Sequence, residues 1–327
     1  MKSNTMGFHS PLASDFQHFL CCHRALGKRY DSEESGLRLL DHYLVAQNVN
    51  SVGDVKPSCL ESFLNSRPRK AKSYNTLLST LRRCFDWLVA QQRLTSSPLQ
   101  SKPRRNIEQY IPFIFTPSQV KKLVNLASQL PERRTAKHRG DIYTMIFLLM
   151  YCLGLRVSEA LGLCREDVDM SRSCLYLRGT KFAKSRLVPF GQKLGKRLHS
   201  YLVRHNTLGS EDLLFSFSTE HRLQIKRQSV SRTFQKLLPQ LRLQLPPGVQ
   251  RVRLHCLRHS FAVGTLLRWY RQGKDPAQYL IYLSTFLGHV NPASTAVYLT
   301  VTGELLEAAA QRYSRFARPL IEEAYHE

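Results

Sequence analysis

The segment LHCLRHSFAVG (residues 254–264) places a histidine and an arginine three residues apart, at His255 and Arg258. A stripe of apolar residues at helical spacing predicts an amphipathic helix, with both polar side chains at the edge of its buried face. An arginine can donate paired hydrogen bonds to a phosphate, and a histidine can transfer protons near neutral pH. Each residue alone has an ordinary structural explanation, so the role of the pair depends on what accompanies it in the chain.

Three further polar features occupy the same half of the chain. Arg156 follows the Gly154-Leu155 break, and Lys181 lies in a basic turn between two segments that alternate in the manner of strands. The segment LSTFLGHVNPASTAVYL (283–299) contains His289 and, nine residues later, Tyr298. A tyrosine hydroxyl has a pKa near 10 and becomes a useful nucleophile only when its proton is removed.

In this order, the four motifs resemble those of the tyrosine recombinase (phage integrase) family. GLRVSEALGL matches the first arginine motif, with Arg156 and a supporting Glu159, and GTKFAKSRLVPF matches the lysine hairpin, with Lys181. HCLRHSFA supplies the histidine and arginine of the third motif, and LGHVNPASTAVYL supplies the histidine and tyrosine of the last. The resemblance is strong over about 105–320 and loose over the N-terminal helices; the lysine hairpin is most like that of transposon-encoded members.

The resemblance implies a role for each of these residues. Two arginines, Arg156 and Arg258, would bind the scissile phosphate, and His289 would donate a hydrogen bond to it. His255 would be the general base for the nucleophile Tyr298, and Lys181 the acid for the departing 5′ oxygen. The expected product is a 3′-phosphotyrosyl link with a free 5′-hydroxyl, which requires no ATP, metal or other cofactor. His259 lies one step further round the helix, and we expect a structural role for it.

Two other functions stay open at this point. A type IB topoisomerase-like enzyme would use similar chemistry to relax DNA without a partner site. A catalytically inactive DNA-binding protein would keep the basic surface alone, although the complete set of six residues argues against it. The sequence does not distinguish integration, excision, transposition or resolution of a DNA element.

The charge of the chain agrees with a nucleic-acid partner. Its 48 Lys and Arg outnumber 24 Asp and Glu, which gives a net charge of +24 and a pI near 10. Such an excess favours binding to a polyanion over a merely basic surface. The candidate DNA contacts lie near the helix 72–92 and in the hairpin: Arg67, Arg69, Lys70, Lys72, Arg82, Arg83, Lys184 and Arg186. By resemblance, two domains clamp duplex DNA and four protomers assemble on it, with accessory recombinases or DNA-bending proteins as further partners.

The eight cysteines show no zinc-site spacing, which favours a reducing compartment and no structural metal. The apolar run at 142–155 is too short for a membrane span, and we see no signal peptide. We therefore expect a cytoplasmic, nucleoid-associated protein with no membrane partner.

Periodicity predicts a mainly α protein with a small β-sheet. We expect a helical core-binding domain at 1–100, a proline-containing linker at 101–116 and an α+β catalytic domain at 117–327. The catalytic domain should begin a helix at Pro117, end a buried helix at Gly154 and form a hairpin over 173–190. An amphipathic stripe within 303–324 predicts a C-terminal helix, packed either on its own domain or on a neighbouring protomer.

Overall fold

The structure is a computed structural model that describes residues 7–105, 111–179, 185–206, 209–217, 224–289, 291 and 293–300, with positions 307, 310, 311 and 314. The chain divides into two compact units, Met1–Gln109 and Tyr110–Glu327. Lys181, Lys184 and most of the predicted C-terminal helix lie outside the described residues. No helix in the described ranges is long and apolar enough to span a bilayer.

The first unit is helical, as the sequence predicts. Its helices are α1 (Ala13–Ala25), α2 (Asp31–Ala46), α3 (Pro57–Asn65) and α4 (Ala71–Ala90), with a 3-10 turn at Val52–Asp54. Helix α4 has the predicted amphipathic pattern, because Leu77, Leu81 and Phe85 recur on its buried face. They pack into one core with side chains from α1, α2 and α3.

The segment 101–116 is anchored at both of its described ends. Arg104 exchanges two hydrogen bonds with Asn75 of α4, and its guanidinium lies 3.9 Å from the centre of the Tyr74 ring. At the other end, Phe113 and Phe115 are buried in the core of the second unit. The proline-containing stretch therefore contributes ordered packing to the unit on each side of it.

The second unit is mainly α with a small sheet, which confirms the predicted fold class. Its elements are α5 (Pro117–Ser128), α6 (Arg139–Cys152), α7 (Val157–Leu161), β1 (Val168–Asp169), β2 (Cys174–Leu177), β3 (Arg186–Pro189), α8 (Gln192–Arg204), α9 (Arg227–Leu241), α10 (Cys256–Arg271), α11 (Pro276–Leu287) and α12 (Ala293–Ala296), with a final 3-10 turn at Val297–Thr300.

Local hydrogen bonds explain where helix α5 begins. Thr116 caps α5 by accepting the backbone N–H of Gln119, while the Gln119 side chain accepts the backbone N–H of Thr116. Pro117 occupies the first helical position, where its missing N–H costs nothing. The boundary predicted from the Thr-Pro pair is therefore confirmed.

The sheet is antiparallel, in the order β1-β2-β3. Leu175 pairs with Val188 on the buried side, and Tyr176 pairs with Leu187 on the exposed side. This register fixes Arg186 opposite Leu177 at the beginning of β3, beside α11.

Helix α6 ends where the sequence predicts, because Gly154 adopts a left-handed φ of +61°. A Cβ at this position would lie 2.6 Å from a Phe261 ring atom and 2.7 Å from a Leu287 methyl group. The turn therefore brings α6 tightly against α10 and α11, and the chain then enters α7 with Arg156 at its start.

Two other glycines provide a matched test of how closely the helices of the second unit pack. A Cβ on Gly140 would lie 2.4 Å from the backbone oxygen of Ser128, whereas a Cβ on Gly264 meets nothing within 4 Å. We expect Gly140→Ala to lower the free energy of unfolding by about 1–3 kcal/mol through overpacking of α5 against α6. Gly264→Ala should raise it by up to about 1 kcal/mol, because alanine favours the helix. Urea unfolding of both variants measures the difference; equal or greater stability of Gly140→Ala would contradict the close approach.

Candidate active site

A buried carboxylate joins two arginines at the start of α7 and β3. Glu159 accepts a hydrogen bond of 2.6 Å from Arg156 Nη1 and two of 3.0 Å from the guanidinium of Arg186. It also accepts the backbone N–H of Arg156, three residues earlier in the chain. Burial alone would raise the pKa of Glu159, but Arg186 and Arg156 hold that pKa below its ordinary value. Glu159 is therefore the ionised centre of the cluster.

The same arginines bind the carbonyl groups at the end of α11. Arg186 Nε donates to the Phe286 oxygen at 2.9 Å, and Arg156 Nη2 donates to the Gly288 oxygen at 2.9 Å. These carbonyls have no partner within their helix and carry the negative end of its dipole. Gly288 adopts a φ of +67°, and a Cβ there would lie 2.6 Å from Arg186 Nη1. A glycine is therefore needed where the arginines approach.

Arg258 extends this cluster into the interior. It has no exposed surface, and it donates to the Gly154 oxygen at 2.7 Å and to the Leu287 oxygen at 2.8 Å. Its Nη1 lies 3.8 Å from Glu159, while its buried Nε has no hydrogen-bond partner among the described residues. Burial, followed by the charge of Arg156, lowers the pKa of Arg258 to about 10, so it remains a cation at pH 7. The sequence predicts this side chain at the edge of the buried face; the structure places it fully inside.

His289 is held in a defined orientation beside Arg258. Its Nε2 lies 2.9 Å from Arg258 Nη2, and its Nδ1 lies 2.7 Å from Thr295 Oγ1. Because a guanidinium can only donate, Nε2 must accept, and the ring proton lies on Nδ1. Burial and the neighbouring Arg258 lower the pKa of His289 to about 4, which agrees with a neutral ring.

Tyr298 lies in the final 3-10 turn, with 5% of its surface exposed, among apolar side chains of α10 and α11. Its hydroxyl lies 2.9 Å from Nδ1 of His259. Burial raises the pKa of Tyr298, and the positive charges of Arg258 and Arg156 partly offset that increase. The hydroxyl is therefore protonated at pH 7 and held by a histidine.

His255 lies just before α10, and its exposed ring meets the His259 ring edge to face at 4.6 Å. Protein packed round part of the ring, together with Arg258 and Arg156, lowers the pKa of His255. Of His255 and His259, the one for which we expect a structural role, His259, contacts the tyrosine. Sequence spacing could not reveal this, because the His259–Tyr298 contact joins residues 39 positions apart.

The site thus brings together five of the six predicted catalytic residues, while Lys181 lies outside the described residues. Arg186, predicted as a DNA contact, instead turns its guanidinium inward onto Glu159, with 11% of its side chain exposed. In the described part of the chain, no group of three or more histidine, cysteine or acidic side chains is placed to hold a metal ion.

The predicted DNA contacts of the first unit lie around α4. Arg67, Lys70 and Lys72 are exposed, whereas Arg69 donates to the Leu64 oxygen at 2.8 Å. Two exposed arginines already have partners: Arg82 Nη2 donates to the Ser101 oxygen at 3.2 Å, and Arg83 Nη2 contacts Glu33 at 3.0 Å. A depression of about 360 Å³ follows the polar side of the helix, lined by Lys72, Asn75, Thr76, Ser79 and Arg83.

The comparisons with known proteins agree with one another. Residues 114–304 match the phage integrase family. The y4rB protein of Sinorhizobium fredii (strain NBRC 101917 / NGR234), which carries an integrase/recombinase name, is 32% identical over 310 residues, covering 91% of this chain and 96% of its own. Tyrosine recombinase XerC of Thermodesulfovibrio yellowstonii is 28% identical over 250 residues, covering 76% of this chain and 78% of its own.

Solved structures share the fold. The XerH site-specific recombinase bound to palindromic difH substrate superposes with a TM-score of 0.64 at 17% identity, over 92% of this chain and 85% of its own. A lambda integrase dimer bound to a COC′ core site gives 0.61 at 17% identity, over 86% and 96%. The match over more than half of the residues, together with the 32% identity, confirms the family predicted from the four motifs. The chain belongs to the phage integrase family, the tyrosine recombinases, which are enzymes of site-specific DNA recombination.

Proposed function

We propose that this protein cuts and rejoins duplex DNA through a 3′-phosphotyrosyl intermediate, with Tyr298 as the nucleophile. The observation that carries the proposal is the position of the Tyr298 hydroxyl, held by a histidine beside buried, charged Arg258. Arg156, Arg186 and Arg258 surround a single carboxylate, Glu159. The site therefore carries excess positive charge beside a potential nucleophile, as attack on an anionic phosphodiester requires.

Arg156 and Arg258 are the proposed phosphate donors. Attack by the tyrosine increases the negative charge on the non-bridging oxygens, and fixed donors stabilise that charge without reorganisation. The buried Nε of Arg258 has no partner in the described part of the chain, and 21% of the Arg156 side chain is exposed. Each such donor typically contributes about 10²- to 10³-fold in rate. Glu159 and the α11 carbonyls act as the supports that hold both guanidinium groups in place.

The hydrogen bonds of His289 favour a different immediate task from the one implied by the resemblance. With Nε2 accepting from Arg258 and Nδ1 donating to Thr295, the ring offers no proton to a phosphate in this arrangement. We propose that His289 orients Arg258 in the DNA-free chain. Donation to the phosphate would require Arg258 to release Nε2 and that nitrogen to become protonated.

Lys181 remains the proposed acid for the 5′ oxygen, by resemblance alone. The phosphotyrosyl bond would conserve the energy of the phosphodiester, so a 5′-hydroxyl could rejoin it without ATP. We propose that no metal or other cofactor takes part, because arginines and a lysine would supply the positive charge.

Duplex DNA is the proposed partner, with a tetramer as the active assembly. The net charge of +24, the exposed basic residues around α4 and the DNA bound by the XerH and lambda integrase relatives support it. Accessory proteins, the direction of the reaction and a nucleoid-associated location in the cytoplasm follow from the resemblance alone.

Three predictions test the proposed function, and the first of them concerns the nucleophile. Tyr298→Phe should abolish covalent attachment to a nicked suicide DNA, because the attacking oxygen is gone, while DNA affinity changes less than about twofold. Tyr282→Phe is the matched control, because that ring is 66% exposed on α11 and should react normally. Gel analysis measures the adduct formed by each variant, and an adduct formed by Tyr298→Phe would refute the assignment.

The second prediction concerns the DNA contacts. If about six basic side chains neutralise phosphates, DNA affinity should fall by roughly 10³-fold between 50 and 200 mM salt. Lys72→Gln should reduce the slope of log affinity against log salt by about one, whereas Lys72→Arg keeps the charge and the slope. An affinity that is independent of salt would contradict the proposed contacts.

The third prediction separates the enzymatic alternatives. Incubation with two DNA molecules that carry the recognition site should give exchanged strands, because a recombinase joins its phosphotyrosyl end to the partner DNA. Relaxation of a plasmid without exchange would instead identify a topoisomerase-like enzyme. Binding without any adduct would identify an inactive DNA-binding protein.

A further inference from the structure

Two histidines of the same helical segment lie next to Arg258, and only one of them reaches the tyrosine. His259 Nδ1 is 2.9 Å from the Tyr298 hydroxyl, and the two ring centres are 5.4 Å apart. The ring of His255 makes no hydrogen bond with the described residues and lies exposed at the surface of the site. This arrangement is the reverse of the one expected from the motif.

The backbone explains the difference in reach. His255 precedes the first residue of α10, and the His259 N–H donates to the His255 carbonyl at 3.1 Å, so the two side chains lie one helical turn apart. The ring of His259 is half-buried, next to the 3-10 turn that carries Tyr298. That tyrosine is fixed in turn by a cluster that includes Ala262, Val263 and Leu266 of the same helix.

The charges around His259 keep its ring neutral. His255 faces it from just before α10, Arg258 from α10, His289 from the end of α11, and Tyr298 from the final turn. Burial and the first three of these groups lower the pKa of His259 to about 3. A neutral imidazole carries one lone pair on a ring nitrogen. Arg258 also hydrogen-bonds the hydroxyl but can only donate, so among the described residues His259 is the neighbour able to accept its proton.

We propose that His259 Nδ1 accepts the proton of Tyr298 in the cleavage step, and that His255 faces the phosphate instead. This inference rests on the proposed function. A bond forms between the Tyr298 oxygen and phosphorus, and the bond from phosphorus to the 5′ oxygen breaks. The tyrosine proton moves to His259, and the leaving oxygen takes a proton from the general acid. In religation, His259 returns its proton to the tyrosine.

Binding of the DNA phosphate would raise the basicity of His259. Burial, the neighbouring histidines and Arg258 oppose protonation of His259 when the site is empty. A phosphate bound to Arg156 and Arg258 neutralises part of that positive potential and so makes His259 more basic. The tyrosine would then lose its proton only when a phosphodiester is in place, which disfavours attack on other electrophiles.

The test uses the full-length protein and a DNA substrate whose leaving 5′ oxygen is replaced by sulfur. A thiolate leaves without a proton, so the rate no longer depends on the general acid. His259→Asn keeps a polar group near the position of Nδ1 but cannot act as a base. We expect cleavage to slow by about 10²- to 10⁴-fold. The remaining rate should rise about tenfold per pH unit, because only the spontaneously ionised phenol attacks and burial keeps the pKa of Tyr298 above its ordinary value. The unmodified protein should show no such slope between about pH 7 and 8.5.

His255→Asn is the matched control, and it should retain the flat profile. A flat pH profile for His259→Asn, whether its cleavage is fast or slow, would limit His259 to a structural role and overturn the inference. A slope in His255→Asn alone would assign the base to His255 and also overturn it. Both results leave the proposed function intact, provided that Tyr298→Phe is inactive; absence of any adduct from the unmodified protein would remove the proposed function itself.

A second measurement needs no variant that might disturb folding. Nitrogen NMR of the protein with isotope-labelled histidine rings at pH 7 should show His259 Nδ1 as an unprotonated hydrogen-bond acceptor. A protonated Nδ1 would mean that His259 donates to the tyrosine, and it would contradict the inference.

Discussion

The catalytic unit depends on the neutralisation of one helix end by three arginines around one carboxylate. Glu159 is almost completely buried, and Arg156, Arg186 and Arg258 reach it from α7, β3 and α10. The same three guanidinium groups bind the carbonyls of residues 286–288 at the end of α11. An unpaired charge at such a depth would cost several kcal/mol, so each member requires the others. The cluster therefore holds four elements together and leaves positive charge for a phosphate.

This constraint also determines where the proposed nucleophile lies. The chain leaves α11 through left-handed Gly288, and His289 then contacts both Arg258 and Thr295. These contacts lead the backbone into the final turn, which brings Tyr298 against α10. The position of the hydroxyl thus follows from the arginine cluster through the hydrogen bonds of His289 to Arg258 and Thr295 and the short chain segment from Thr295 to Tyr298. Substitutions within the cluster should consequently disturb the position of Tyr298.

Much of this architecture could be predicted from the sequence, because its signals are local. Helical periodicity predicts α4 and α6, the Thr116-Pro117 pair predicts the start of α5, and alternation predicts the β2–β3 hairpin. The order of the motifs predicts that Arg156, Arg258, His289 and Tyr298 lie in one site. The inward turn of Arg186 could not be predicted, because its partners Glu159 and Phe286 are 27 and 100 positions away. The His259–Tyr298 contact was missed for the same reason, since spacing along a helix does not specify what packs against it.

The most direct test of the account is to identify the residue that becomes covalently attached to DNA. The protein would be trapped on a nicked suicide duplex and digested, and the peptide carrying the nucleotide would be sequenced by mass spectrometry. The account predicts a 3′-phosphoryl nucleotide on Tyr298, with a 5′-hydroxyl on the released strand. Attachment at Tyr279, Tyr282 or any other side chain, or a 5′-linked nucleotide, would contradict it.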